Sequence, residues 1–276
     1  MEMMKAITRS VSRNIARCEL TFRERECVDY ERAVQQHTSY RDMLRRAGAE
    51  VLNLEACDAH PDCCFVEDTA VVLDELAVIV NMGTPSRRGE TAAVEKILST
   101  QREVAHLAHP ATLDGGDVIR LGKQIFVGHS KRTNREGVEA LARLVSPFGY
   151  QVTPIRVAKC LHLSSACSAL DEETVLLNPR WIDAEPLKRF RILLAAEDEP
   201  WAANTVRVGE RVCVEAGAPR TLEIVGRHCR DTEALDVSEF RKAEGSLSCL
   251  SIIFRDVVQN PGKQSINQNQ EVKYAE

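Results

Sequence analysis

The sequence predicts an α/β protein built as a closed ring of five β/α units. Two observations carry that expectation: four segments that share one grammar, and five polar or reactive residues at nearly constant spacing. In each segment a short β-type run leads to a loop with Gly, Pro or Arg, then to a helical or helix-like stretch. These segments are 77–80 into 83–87, 125–128 into 130–132, 175–180, and 212–214 into 217–220. Apolar residues recur at three and four over 90–98 and 135–144, which predicts helices there. Runs at 103–107, 151–157 and 191–195 follow as further strands. The fifth unit then closes with a strand near Lys5 to Ile7 and a helix beginning around Asp29.

A candidate opening strand stands before each central strand, at 64–68, 112–117, 161–163, 202–205 and 247–249. Their polar residues Glu67, Asp114, His162, Asn204 and Cys249 are separated by 47, 48, 42 and 45 residues. If each unit places its opener alike, these side chains meet around one axis. A ring makes one domain of residues 1–255 and leaves the polar stretch 256–276, rich in Gln and Asn, as a disordered tail. An ordinary doubly wound fold whose units share a length remains the alternative.

Composition narrows the function. The 276 residues carry 36 basic and 41 acidic side chains, a net charge of −5, with 44% apolar and 28% charged residues, as in ordinary globular proteins. A pI near 5.9 argues against a broad nucleic-acid face. No apolar run approaches the roughly 18 residues of a membrane span. Arg9, Arg13, Arg17, Arg23 and Arg25 break up the first thirty residues, so no secretory leader is expected. A cytoplasmic protein with neither a membrane nor a nucleic-acid partner is the expectation.

The ten cysteines suit reduced thiols in that compartment better than a disulfide framework. Cys63 and Cys64 are adjacent, Cys160, His162 and Cys167 cluster loosely, and no C-x-x-C pair occurs. A zinc site wants paired short spacings, so no metal is expected.

A thiol nucleophile needs a general acid/base, and an imidazole gains from a carboxylate on its other nitrogen. Cys249, His162 and Asp114 supply those parts. Singly, each has a plainer reading: a buried cysteine, a satisfied core histidine, and a hairpin or bulge in Leu-Asp-Gly-Gly-Asp. Their common repeat position groups them. Asp62, Glu67 and Asp68 place three carboxylates in an otherwise apolar stretch, which is costly unless a cation joins them. Strand alternation would turn Glu67 and Asp68 to opposite faces, so a bulge or a strand end is needed for both to reach one ligand. Arg87 and Arg132 hold equivalent loop positions and suit a carboxylate, whereas Arg88, Lys131 and Arg135 read as solvent-facing. Acid at one end and arginine at the other fits a zwitterion with a cationic side chain, such as an arginine-like molecule.

The segments Pro-Asp-Cys-Cys-Phe-Val-Glu-Asp (61–68), Ser-Arg-Arg-Gly-Glu (86–90), Thr-Leu-Asp-Gly-Gly-Asp (112–117) and Arg-Thr-Asn (132–134) carry a resemblance. Leu-His-Leu (161–163), Ala-Ala-Asn (202–204) and Gly-Ser-Leu-Ser-Cys (245–249) continue it in order. The chain resembles the dimethylarginine dimethylaminohydrolase family of guanidine-modifying enzymes. That resemblance implies a five-bladed α/β-propeller, the pentein fold. It implies Cys249 as nucleophile, His162 as general acid/base and Asp114 as its supporting carboxylate. Glu67 and Asp68 would hold the guanidinium nitrogens, Asp62 and the backbone of Leu20 the amino group, and Arg87 and Arg132 the carboxylate. Ala243 would add a backbone contact.

The implied activity is hydrolysis of asymmetric dimethylarginine or monomethylarginine to citrulline and dimethylamine or methylamine, through a covalent thiouronium. The site carboxylates and the bound cation are both expected to favour the Cys249 thiolate. No cofactor or metal has a role; the partner is a small-molecule substrate, and a homodimer is left open. An arginine deiminase or other guanidine hydrolase is the alternative within enzymes. A catalytically silent amino-acid-binding or thiol-redox protein is the alternative outside them. Cys18, near Leu20, reads as a redox-sensitive thiol or as filler.

Overall fold

The computed structural model describes residues 3–256. The first unit runs through β1 (Met4–Arg9), a 3-10 turn at Ile15–Arg17, an irregular strap, α1 (Tyr30–Arg46) and β2 (Ala49–Leu54). The side chain of Asp29 caps α1 by accepting from the Arg32 N–H, and Arg45 and Arg46 close it at the negative end of the helix dipole. The inner face of α1, Ala33, Gln36, His37, Tyr40, Met43 and Leu44, follows the helical period.

The second unit comprises β3 (Ala70–Val72), β4 (Leu76–Ile79), α2 (Thr91–Leu98) and β5 (Glu103–His106). The third comprises β6 (Val118–Leu121), β7 (Gln124–His129), α3 (Arg135–Val145) and β8 (Gln151–Arg156). In the fourth, β9 (Cys167–Ala169), β10 (Thr174–Leu177) and β11 (Arg191–Leu194) are joined through a 3-10 turn instead of a full helix. The fifth comprises β12 (Val206–Val208), β13 (Arg211–Glu215), α4 (Pro219–Gly226) and β14 (Asp231–Leu235). After α5 (Ser238–Lys242), β15 (Ile252–Arg255) returns to β1.

Five three-stranded sheets result, each with its middle strand antiparallel to the inner strand and parallel to the outer one. The ring shuts where Ile7 pairs with Ile252. This is the closed ring of five β/α units that the repeat spacing predicts, and the five-bladed α/β-propeller that the resemblance implies. Apolar contacts between neighbouring blades hold it: Val78 and Met82 share one cluster with Ile125, Val127 and Leu141, all fully buried. Each such side chain contributes about 1.5–3 kcal/mol by leaving water. Asp256 donates its N–H to the Met3 carbonyl, so the described domain extends to that residue. The rest of the expected tail lies outside the described residues. Among the described residues no helix is long and apolar enough to cross a membrane.

One expectation changes. The openers are not strands; four of the five are single 3-10 turns leading into the inner strands, at Val66–Thr69, Gly115–Asp117, Leu163–Ser165 and Ser248–Leu250. Each turn is closed by bonds of the i→i+3 kind, such as Asp117 N–H to Asp114 O and Ser165 N–H to His162 O. A 3-10 turn does not send neighbours to opposite faces, so Glu67 and Asp68 escape the strand alternation that would separate them.

Candidate active site

Those turns set the polar side chains around the axis. Asp68, 2% exposed, is the hub. It accepts from Gly116 N–H at 3.2 Å and from Arg87 Nη1 at 2.7 Å, and its Oδ1 lies 3.5 Å from His162 Nδ1. A Cβ on Gly116 would stand 2.6 Å from that carboxylate and 2.9 Å from the imidazole, so a side chain there would force them apart. The Gly-Gly pair of the opener is therefore a packing requirement of the site.

His162 Nε2 is 3.1 Å from Asp114 Oδ2, so the imidazole lies between carboxylates from two other blades. Asp114 also accepts from Gly83 N–H at 2.8 Å. Asp117, the second acid of the motif, accepts from Ser130, Thr133 and the Leu163 N–H, fixing the residue that follows the histidine. Burial alone would lower the His162 pKa, but the Asp68 charge, the Asp114 bond and Asp117 push it up to about 9. Among the described residues, Asp68, Asp114 and His162 form the group with donor atoms close enough to hold a metal ion. Both imidazole nitrogens face carboxylates, and Arg87 adds a further positive charge, so the protein neutralises this cluster with its own cations.

The raised histidine pKa links stability to pH. A proton held more tightly in the folded chain stabilises it fully below the ordinary value of 6.5, and the benefit is lost as pH rises through about 9. Urea midpoints are expected to fall between about pH 6 and about pH 9.5, and to fall less in His162→Asn.

Cys249 sits on the Ser248–Leu250 turn, 7% exposed. Burial pushes its thiol well above the ordinary range, and the Glu67 and Asp68 charges push it further. The site carboxylates thus oppose the thiolate, contrary to expectation, because like charges share one dry centre. Only an added cation can reverse that. Burial and the Asp68 charge raise Glu67 to about 7, against hydrogen bonds from Ser248 and Ser164. Asn204, the fourth residue of the repeat series, donates to Ser248 Oγ at 2.8 Å and to the Ser164 carbonyl, and accepts from Ser248 N–H. It ties the nucleophile turn to the histidine turn.

The arginines differ. Arg87 is buried at 3% exposure, with Nε on Glu90, Nη1 on Asp68, and Nη2 on Glu90 and the Phe65 carbonyl. It does not present an open fork, because its fork already pairs with Asp68 and with Glu90, a buried carboxylate that would otherwise lack a cation. Arg132 lies 3.5 Å from Asp114 through an Nη1 that is buried without a hydrogen-bond partner. Asp62, 4% exposed, accepts from the Glu19 N–H; Leu20 is half-buried in the strap, and Ala243 is buried at the end of α5. Arg88, Lys131 and Arg135 are exposed, as expected. A cavity of about 290 Å³ beside Arg23, Trp201 and Arg241 is lined by none of the residues of this centre.

The family described as N,N dimethylarginine dimethylhydrolase, eukaryotic, matches residues 8–191. An N(G),N(G)-dimethylarginine dimethylaminohydrolase of Streptomyces coelicolor is 37% identical over 258 residues, 93% of this chain and 99% of that relative. The chain belongs to the dimethylarginine dimethylaminohydrolase family. A relative of the same name from Pseudomonas aeruginosa is 33% identical over 230 residues, 82% of this chain and 90% of that one. A solved dimethylarginine dimethylaminohydrolase from Pseudomonas aeruginosa, a variant in complex with citrulline, superposes with a TM-score of 0.87 at 31% identity, covering 91% of this chain and all of that one.

In this member of the dimethylarginine dimethylaminohydrolase family, the turns bring Glu67, Asp68, Asp114, His162 and Cys249 to one centre. Sequence reasoning missed Glu90, Asp117, Ser248 and Ser164. Two signals were present: Glu90 stands three residues after Arg87, the spacing of a helical turn, and Asp117 ends the same motif as Asp114.

Proposed function

We propose that Cys249, His162, Asp114, Asp68 and Glu67 hydrolyse Nω-methylated arginine to citrulline and the corresponding methylamine. The observation that carries this is a thiol kept neutral by burial and by the charges of Glu67 and Asp68, in one centre with an imidazolium held charged by Asp68, Asp114 and Asp117. Such a centre stays idle until a cation enters. A guanidinium paired with Glu67 and Asp68 cancels the charges that oppose the thiolate, so the thiol gives its proton to solvent and the substrate itself switches on the nucleophile.

The thiolate then attacks the guanidinium carbon. As the bond to the methylated nitrogen breaks, the His162 imidazolium gives that nitrogen its proton, and dimethylamine or methylamine leaves. A thiouronium on Cys249 remains. The neutral imidazole takes a proton from water, the hydroxide adds to the same carbon, and collapse expels the thiolate, which takes the remaining O–H proton to restore the thiol and leave citrulline. Asp114 holds the ring in place throughout.

At the other end, the unsatisfied Arg132 Nη1 suits the substrate carboxylate, and Asp62 with the Leu20 carbonyl suits the amino group. Arg87 reaches the carboxylate only by giving up Asp68, so its first role here is to balance Asp68 and Glu90. The domain from residue 3 to residue 256 acts as one catalytic unit. Ten unpaired cysteines support a reducing, cytoplasmic setting.

The test is product analysis with asymmetric dimethylarginine, monomethylarginine and arginine in parallel. Citrulline with equimolar dimethylamine or methylamine is expected. Ammonia from arginine as the dominant product would instead favour a deiminase.

A further inference from the structure

Residues 18–29 form a strap that meets Asp62 and Arg132, and one side chain holds its middle. The backbone N–H groups of Thr21, Phe22 and Arg23 all donate to the Glu244 carboxylate, at 2.9, 2.5 and 2.5 Å. Three successive amides on one carboxylate make a charge-assisted clasp. Glu244 carries it at φ +57°, and it is the non-glycine residue with positive φ among those described. A glutamate pays conformational energy there that glycine would not. The turn has little freedom to relax, because a Cβ on the next residue, Gly245, would lie 2.2 Å from the Phe65 ring.

The strap meets the proposed substrate contacts on its near side. Glu19 N–H donates to Asp62, and Arg132 Nη2 reaches Thr21 Oγ1 at 3.4 Å. The groups assigned to the amino and carboxylate ends of the substrate are therefore both engaged by the strap. Arg132 Nη1 and the remaining lone pairs of Asp62 stay available to an amino acid, with Leu20 between the two strap residues that make these bonds, while Glu244 touches neither the thiol nor the imidazole in any described hydrogen bond.

We propose that Glu244 is a positioning residue that latches the strap, and so sets the affinity for the amino-acid end of the substrate without acting on the reacting carbon. The substrate part of this inference rests on the function proposed above; the latch itself does not.

The test compares Glu244→Gly, which suits the backbone angle, with Glu244→Gln, which keeps the size and loses the charge. Amide hydrogen exchange at Thr21, Phe22 and Arg23 in the unliganded protein is expected to rise by about tenfold or more in both. KM for dimethylarginine is expected to rise about tenfold, with kcat held within about threefold. Alkylation of Cys249 by chloroacetamidine, a small amidine with no amino-acid end, should keep its wild-type rate. Unchanged exchange in both variants would overturn the latch. Alkylation and kcat falling together would also overturn it, by placing Glu244 on the nucleophile turn. If the wild-type protein turns over no methylated arginine, the proposed function fails, and the exchange measurement still decides the latch.

Discussion

Cys249→Ser is expected to lower kcat by more than about 10⁴-fold while the protein stays folded and still binds dimethylarginine. The size of the effect follows from the surroundings of the thiol. Its turn is buried and faces Glu67 and Asp68, which already hold a thiol neutral. An alcohol is a far weaker acid than a thiol, so the cation that releases a proton from sulfur cannot release one from oxygen there. The fold should not notice: the substitution removes little volume, and Leu247, Leu250 and Phe240 supply the packing around that turn. Steady-state citrulline formation, equilibrium binding and thermal unfolding check the three parts. Activity within tenfold of wild type would remove Cys249 from the mechanism.

Asp68→Asn is expected to lower kcat/KM by about 10³-fold or more and to destabilise the fold by about 3–5 kcal/mol. Asp68 accepts from Arg87 and Gly116 and faces His162. Burial alone would raise its own pKa, yet the His162 and Arg87 cations hold it below the ordinary value. Asparagine keeps an acceptor for Gly116 but removes the charge that both cations answer. Arg87 is left with Glu90 alone, and His162 loses the largest influence that raises its pKa. Burial then favours neutral imidazole, and the leaving amine loses its proton donor. An NMR titration of His162 in the variant should move its midpoint downward from about 9, with urea unfolding reporting the stability loss. A midpoint unchanged by the substitution would mean that Asp114 and Asp117 suffice.

The ring was legible because each blade repeats one order of strands, and apolar β-type runs mark the middle strands plainly. Predicted 125–128 and 175–177 fall inside β7 and β10. The turns were not legible, since a 3-10 turn that follows an extended residue begins like a strand. Asp114 has φ −103° and ψ 137°, and His162 has φ −132° and ψ 162°, both extended. Only the residues after them curl. The spaced residues still fall together around one centre, because spacing depends on the repeat and not on local geometry.

Arginine roles were less readable, because charge pairing depends on what is buried together. Arg87 and Arg132 look equivalent in sequence, yet Arg87 lies between Asp68 and Glu90 and has no donor nitrogen left without a partner. Glu244 carried no signal beyond standing before a small-residue run; its meaning appears only where a segment more than two hundred residues away folds back onto it.

The pairing of β1 with β15 has a consequence during synthesis. The first strand made waits for one of the last, and the turn that carries Cys249 enters the fold only as that pairing forms. A ring whose β15 has not yet been made therefore lacks its nucleophile and cannot begin to act, however much of the rest has already collapsed.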